Sequence, residues 1–256
     1  MSAGTAKNSL SDKVMRGDKA KEMKTIGIIG GVAWPSTVTY YRTINEEVAK
    51  RLGGNGLHCA KLVLAQTDFE EIERNQVLGN WERIGGLLAG EANKLKAAGA
   101  DFFIIACNTV HTAIQYVEAR TDLPYIHIVD PAAKMVVDGG YKRVGLLGSG
   151  YTMKGTYFTG RLKERYGLDV LLPEGEHEQN VHNALYLELT KGILLPETRA
   201  RFKAAIEDLA HRGAQAVILG CTEFGMVAKQ EDSPIPLIDT TVAHALAAVE
   251  RALKID

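Results

Sequence analysis

Short, continuous apolar segments alternate along the chain with longer stretches in which apolar residues recur every three or four positions. The short segments are rich in β-branched residues and are predicted to be strands. They are Thr25–Ile29, Lys61–Ala65, Phe102–Ala106, Tyr125–Val129, Arg143–Leu147, Val170–Leu172, Ala216–Leu219 and Leu237–Ile238. Helical spacing is found in stretches such as Trp81–Ala98, Pro196–Arg212 and Val242–Lys254. Because strands that are apolar throughout are typical of buried parallel sheets, the pattern predicts an α/β fold.

The sequence also repeats itself. Residues 27–31 (GIIGG) are echoed 118 positions later by residues 145–149 (GLLGS). Residues 98–107 (AGADFFIIAC) are echoed 114 positions later by residues 212–221 (RGAQAVILGC), and residues 123–127 (LPYIH) resemble residues 235–239 (IPLID). Three echoes in the same order indicate a duplication. We therefore predict two pseudo-symmetric lobes, each a short parallel sheet covered by helices, with the functional site in the cleft between them. The N-terminal lobe would comprise residues 24–130 plus 243–256, and the C-terminal lobe residues 131–242.

Each repeat ends a strand with a cysteine, Cys107 in one half and Cys221 in the other. Ligands of α/β sheets bind beyond the carboxyl ends of the strands. The polar pairs Asn108–Thr109 and Thr222–Glu223 follow and can start helices, whose free N–H groups stabilise a thiolate and bind carboxylates. Facing lobes would place one thiol on either side of a cleft, which suits moving a proton between the two faces of a carbon. A single buried cysteine is usually an inert core residue, but the matched pair favours the catalytic interpretation.

Composition and charge narrow the classes of function. Of the 256 residues, 46% are apolar and the formal net charge is −1, which argues against a nucleic-acid or anionic-membrane surface. Three cysteines without a Cys-x-x-Cys pattern exclude a disulfide framework and a zinc ribbon, and Cys59 is expected to be a small core or strand residue. Residues 1–23 are polar and lysine-rich and are expected to be a flexible tail. They carry no apolar signal segment, so a cytoplasmic location is expected.

Two partial motifs point to other chemistry. Residues 148–153 (GSGYTM) partly match a dinucleotide-binding fingerprint, but the third glycine is missing, so no nucleotide cofactor is expected. Cys107 and His111 are spaced to share a helical face as metal ligands, yet no third or fourth ligand accompanies them. We interpret His111 as a polar residue at a helix start, and we expect neither a metal nor a cofactor.

Several motifs in combination resemble the aspartate/glutamate racemase family. They are residues 26–31 (IGIIGG), 34–37 (WPST), 40–45 (YYRTIN), 66–72 (QTDFEEI), 106–111 (ACNTVH), 151–153 (YTM), 220–223 (GCTE) and 239–241 (DTT). The resemblance covers the chain from Met23 onward and is greatest to the aspartate/glutamate-specific subgroup. It implies a homodimeric, metal-free isomerase that needs no pyridoxal phosphate. One thiolate would take the α-proton of aspartate or glutamate, and the opposite thiol would return a proton. That subgroup can carry threonine at the position of Cys107, so cysteine at both positions favours racemization in both directions.

The resemblance also implies a set of substrate-binding residues around the two catalytic cysteines. They are Val32, Arg42, Gln66, Asn108, Thr109, Thr152, Thr222 and Glu223. Side chains of Asn108, Thr109 and Thr222 would donate hydrogen bonds that strengthen as negative charge develops on the substrate. Glu223 would orient or tune Cys221, or serve only as a carboxylate in the first turn of a helix.

An acidic substrate needs a basic group that binds its side-chain carboxylate. Arg42, Arg74 and Lys191 are the candidates, and Gln66 is a further candidate for the carboxylate or the amine. Thr190 occupies the position of a lysine that some aspartate racemases use, which leaves the choice of acid open. Two alternatives remain at this point. One is a racemase or isomerase of the same superfamily acting on another small carboxylate, a hydantoin or maleate, and the other is a two-lobed protein that binds an amino acid without reacting.

Overall fold

The computed structural model describes residues 23–53 and 56–253, which form two parallel sheets covered by helices. The predicted tail therefore lies, except for Met23, outside the described residues. The strands are β1 Ile26–Gly30, β2 Leu62–Gln66, β3 Phe102–Ile105, β4 Arg143–Gly148, β5 Asp169–Leu171, β6 Ala216–Gly220 and β7 Leu237–Asp239. The first sheet has the order β2-β1-β3 and the second the order β5-β4-β6-β7. The predicted α/β class with two parallel sheets is confirmed.

Ten α-helices are found in the described part of the chain. They are α1 Trp34–Leu52, α2 Phe69–Val77, α3 Trp81–Ala97, α4 Ile114–Glu118, α5 Val129–Asp138, α6 Gly150–Lys154, α7 Thr159–Tyr166, α8 Glu176–Leu187, α9 Pro196–His211 and α10 Thr240–Leu253. Short 3-10 helices cover Thr109–Ala113, Leu189–Lys191, Phe224–Met226 and Gln230–Asp232. The three helices predicted from apolar spacing agree with α3, α9 and α10 to within two residues at each end. Within residues 23–53 and 56–253, no helix has the length and apolarity that a membrane span requires.

The turn after β1 depends on a glycine. Gly31 has a φ of +84°, and a Cβ atom there would collide with the carbonyl oxygen of Thr67. Only glycine combines this backbone conformation with so close an approach of another segment. Its N–H donates to Thr37 Oγ1 at 3.0 Å, which ties the turn to the first part of α1. The turn thus holds Val32 and Ala33 at the carboxyl edge of the first sheet.

The helices that follow the two sheets are exchanged between them. Helix α5 follows the first sheet in sequence, but its buried side chains share a core with β4 of the second sheet. Helix α10 follows the second sheet, and four of its five buried apolar side chains share a core with β1 of the first. This packing supports the lobe boundaries at residues 130 and 242, which stay a prediction.

The predicted strand Tyr125–Val129 is wrong. Only Tyr125 pairs, through an isolated parallel bridge with Phe103. The reason is that α5 already begins at Val129, whose N–H donates to His127 Nδ1 at 3.3 Å, so too few extended residues remain to continue the ladder. The echoed segment of the second half does form a strand, β7.

The prediction for Cys59 is also wrong. Cys59 is exposed and lies in an irregular segment between α1 and β2. Strand β2 begins only at Leu62, and the residues before it run along the surface, with Leu57 and His58 exposed as well. The small size and apolar character of cysteine therefore did not indicate a buried position here.

Three buried histidines, His111, His127 and His244, lie together between helix α10 and the segment that follows β3. His111 Nδ1 donates to the Cys107 carbonyl at 2.9 Å, and His111 Nε2 accepts from the Ile128 N–H at 3.4 Å. His244 Nε2 donates to the Ile126 carbonyl and His244 Nδ1 accepts from Tyr40 Oη, both at 2.9 Å. With this tautomer assignment, every partner suits a neutral imidazole. Burial lowers the pKa of His111 from 6.5 to about 4 and that of His244 to about 3, and it lowers the pKa of His127 as well.

Because of these buried histidines, we expect the free energy of unfolding to fall in mild acid. Their folded-state pKa values lie below the ordinary 6.5, so the unfolded chain binds more protons and the free energy of unfolding falls as pH decreases through 6.5. The loss should be about 2 kcal/mol per buried histidine between about pH 7.5 and pH 5. Urea unfolding at a series of pH values measures it. The His127→Gln variant should show a shallower pH dependence, whereas a change at the exposed His58 should leave it as it is. A stability that is constant over this range would contradict the prediction.

Candidate active site

The two cysteines lie at the carboxyl edges of the two sheets and reach one common cavity. Cys107 follows β3 and Cys221 follows β6, and each precedes a 3-10 helix. The cavity has a volume of about 30 Å³, which is enough for about one water molecule. It is lined by Val32, Ala33, Phe69, Gln76, Cys107, Thr109, Leu185, Tyr186, Thr190, Cys221 and Glu223. This volume is smaller than an amino acid.

Each cysteine loop is held by a serine from the other lobe. Ser36, at the start of α1, has its Oγ 2.7 Å from Glu223 Oε1 and 2.8 Å from Thr222 Oγ1. Ser149, directly after β4, has its Oγ 2.9 Å from Thr109 Oγ1. The pattern is reciprocal, because each serine follows the first strand of its own half and meets the residues that follow the cysteine of the other half. These buried hydrogen bonds fix the two loops relative to one another.

Cys221 is paired with a buried carboxylate. Its Sγ donates to Glu223 Oε2 at 3.0 Å, and both residues are buried. Burial, the negative charge of Glu223 and the hydrogen bond to it all raise the pKa of the Cys221 thiol well above its ordinary value. The carboxylate thus stabilises the protonated thiol, and it also lies where it can accept the proton when a thiolate forms.

Cys107 has a different environment. Burial raises the pKa of its thiol to about 12, while the backbone N–H groups of Val110 and Thr109 act in the opposite direction because they favour the thiolate. Glu223 raises the pKa of Cys107 further through its charge. The two thiols therefore have unlike partners, amides for Cys107 and a carboxylate for Cys221.

The structure gathers some of the predicted substrate-binding residues at the cavity and not others. Val32, Thr109 and Glu223 line it together with the two cysteines. Directly behind them are Thr222, which donates to Glu223 Oε2 at 3.0 Å, and Thr152, whose Oγ1 lies 3.1 Å from Ser149 Oγ.

The other predicted residues lie further from the cavity lining. Asn108 is buried and donates from Nδ2 to Thr240 Oγ1 at 3.0 Å, while its Oδ1 has no hydrogen-bond partner among the described residues. Arg42 is exposed on α1 and Gln66 is exposed at the end of β2. Neither of these two lines the cavity.

Sequence reasoning missed several residues of the site. Ser36 belongs to the quoted motif of residues 34–37, and its position after the glycine-rich turn was the available signal. Phe69 and Gln76 come from the two ends of α2, and Leu185 and Tyr186 from the last turn of α8. Nothing in the local pattern of α8 distinguishes it from an ordinary amphipathic helix.

A larger groove adjoins the small cavity. It has a volume of about 570 Å³ and shares Gln76 and Tyr186 with the cavity, so these two side chains lie between the two spaces. Across the groove Tyr151 Oη donates to the Gln76 carbonyl at 3.3 Å, and the Tyr151 ring meets Trp81 edge-to-face. In the part of the chain that the structure describes, no group of three or more His, Cys, Asp or Glu side chains is arranged to hold a metal ion.

The chain is similar to racemases in sequence and in structure. The sequence matches the Asp/Glu/Hydantoin racemase family over residues 29–248. A candidate Asp/Glu racemase from Yersinia pestis has a solved structure that aligns with a TM-score of 0.83 and 40% identity, over 90% of this chain and 100% of that one. An aspartate racemase homologue from Pyrococcus horikoshii OT3 aligns with a TM-score of 0.76 and 29% identity, over 90% and 99%. The broad specificity amino-acid racemase RacX of Bacillus subtilis is 27% identical over 162 residues, which are 63% of this chain and 69% of that protein.

Proposed function

The chain belongs to the Asp/Glu/Hydantoin racemase family, and on this basis we propose that it is an isomerase that racemizes an amino acid with Cys107 and Cys221 as two opposed bases. One observation carries the proposal. Two thiols, each following a strand of a different sheet, line the same small cavity. We expect a carbon centre bound between them to have one sulfur on either face, which is the arrangement that inversion by proton transfer requires.

The charges of the site indicate how a thiolate forms. Both thiols are protonated near neutral pH before a substrate binds, because burial and Glu223 raise the pKa of each. A bound amino acid brings a positive ammonium group, which lowers the pKa of a neighbouring thiol. At Cys221 the proton passes to Glu223 Oε2. At Cys107 the proton passes to solvent water as the substrate enters, and the amides of Val110 and Thr109 stabilise the thiolate. Whichever thiolate forms takes the α-proton, and the opposite thiol returns a proton to the other face.

The hard step is the negative charge that develops on the substrate when the α-proton leaves. Backbone N–H groups and the hydroxyl of Thr109 are the donors that the cavity offers to the substrate carboxylate.

Exchange of the α-proton with solvent deuterium tests the proposal. In D₂O, both enantiomers of a substrate should lose their α-proton signal in the NMR spectrum, and chiral chromatography should show each converting to its mirror image. The double variant Cys107→Ala/Cys221→Ala is the control and should do neither. An amino acid that binds without exchanging its proton would overturn the proposal and identify a binding protein.

The homodimer and the cytoplasmic location stay predictions. For the homodimer, support comes from the exposed apolar side chains of Trp34, Val38 and Tyr41, which lie three and four residues apart on α1. Such spacing places them on one face of the helix, as at many subunit contacts.

A further inference from the structure

The cavity around the two thiols contains no positive charge. Its ionisable groups are the two thiols, the phenol of Tyr186 and the carboxylate of Glu223. Burial raises the pKa of Tyr186, so the phenol stays neutral. No lysine or arginine of residues 23–53 and 56–253 lines the cavity. The remaining lining side chains are apolar or carry only neutral polar groups.

The basic residues that the sequence suggested as carboxylate-binding groups do not bring a positive charge to the cavity. Arg42, Arg74 and Lys191 are all exposed, and none belongs to the lining. Lys154 lines only the outer groove, where it forms an ion pair with Glu178 at 3.1 Å. Thr190 does line the cavity, and its side chain is uncharged.

A charge balance follows for the bound substrate. The ammonium and α-carboxylate groups of any amino acid cancel one another. The site itself already contributes negative charge during the reaction: one charge when the Cys221 proton has passed to Glu223, and two when Cys107 is the thiolate and Glu223 is ionised. A side-chain carboxylate would add a further negative charge to a buried space without a cation. Burying a charge without a partner is strongly unfavourable. It would also raise the pKa of the thiols further and so oppose the first step.

We infer that the substrate of this site is an amino acid with a short, uncharged side chain, and not aspartate or glutamate. The inference rests on the proposed racemase function. Phe69 and Leu185 offer apolar contact to such a side chain. Gln76 and Thr190 also line the cavity, and their amide and hydroxyl groups can pair with a hydroxyl or an amide of the substrate. Small apolar and neutral polar side chains are therefore accommodated, and carboxylates are disfavoured.

A panel of amino acids in D₂O tests this. The wild-type protein is incubated with each enantiomer of alanine, serine, asparagine, glutamine, aspartate and glutamate at one low concentration, and loss of the α-proton is followed by NMR. The best neutral amino acid should exchange at least about tenfold faster than either acid. Faster exchange of aspartate or glutamate would overturn the inference and leave the racemase function standing. Absence of exchange with every amino acid would overturn both.

A charge introduced at Thr190 provides a second test. Thr190→Lys places an ammonium group at the cavity, and Thr190→Met is the control of similar length without charge. The ratio of the exchange rate of aspartate to that of serine should rise by about tenfold or more in Thr190→Lys relative to Thr190→Met. An unchanged ratio, in a variant whose thermal unfolding matches that of the control, would contradict the assignment of Thr190 to the side-chain end of the site.

Discussion

Replacing Cys107 or Cys221 with alanine is expected to lower the rate of racemization by at least about 10³-fold without unfolding the protein, because one remaining thiol serves only one face of the α-carbon. Exchange of the α-proton should then become one-sided. Each variant should still exchange the enantiomer whose proton faces the remaining sulfur, with retention of configuration. The two variants should prefer opposite enantiomers. Chiral chromatography measures racemization, and NMR in D₂O measures the exchange.

The third cysteine supplies the control for this experiment. Cys59 is exposed and lies away from the cavity, so Cys59→Ala should leave both rates unchanged. A shared preference for one enantiomer in the Cys107 and Cys221 variants would contradict the two-base mechanism. It would show that one thiol acts on both faces or that a different group replaces the other.

Replacing Glu223 with glutamine is expected to slow exchange by about 10²-fold, because the amide cannot accept the proton of Cys221. At the same time the pKa of Cys221 should fall. The negative charge of Glu223 and its hydrogen bond raise that pKa in the native protein, and the substitution removes the charge. The variant should thus hold more thiolate at a given pH and still react more slowly. A lower pKa of Cys221 together with slower exchange would show that Glu223 accepts a proton. A group that only shifts the pKa of Cys221 would not produce this combination.

The pKa of Cys221 can be measured from the pH dependence of its alkylation by iodoacetamide. The Cys59→Ser/Cys107→Ala background leaves Cys221 as the sole cysteine, and the exchange rate is measured with the other cysteines intact. Glu231→Gln is the matched control, because Glu231 is exposed and forms an ion pair with Arg199 at 2.9 Å, outside the cavity lining. Faster exchange in Glu223→Gln would show that the native carboxylate only suppresses the thiolate.

Much of the fold follows from patterns that the physics of parallel sheets imposes. Strands β1, β3 and β6 are covered on both faces, so every position is apolar or glycine and the segments stand out in the sequence. The repeat carries further information. Repeated sequence segments occupy equivalent positions in the two halves of the fold. The match between residues 98–107 and 212–221 therefore predicts that both cysteines lie at equivalent sheet edges. Their common cavity is the structural counterpart of that repeat.

Other parts of the site depend on tertiary packing and could not be predicted from the sequence. Leu185 and Tyr186 reach the cavity because α8 packs near the cysteine loops, and a helix sequence does not state what its end will contact. The strand predicted at Tyr125–Val129 failed for a related reason. Its apolar residues are buried, but the chain there turns into α5, and apolar runs of this length occur in strands and in helix starts alike.

Ser36 and Ser149 each contact the opposite half of the chain, but their partners differ. Ser36 pairs with the carboxylate of Glu223, and Ser149 pairs with the hydroxyl of Thr109. The proposed catalyst is therefore asymmetric, whereas its reaction is symmetric, since mirror-image amino acids have the same free energy in water. With an equilibrium constant of one, kcat/KM has to be equal for the two directions, however different the two sulfurs are. The asymmetry can therefore change kcat and KM only together. The direction with the larger kcat must also have a proportionally larger KM.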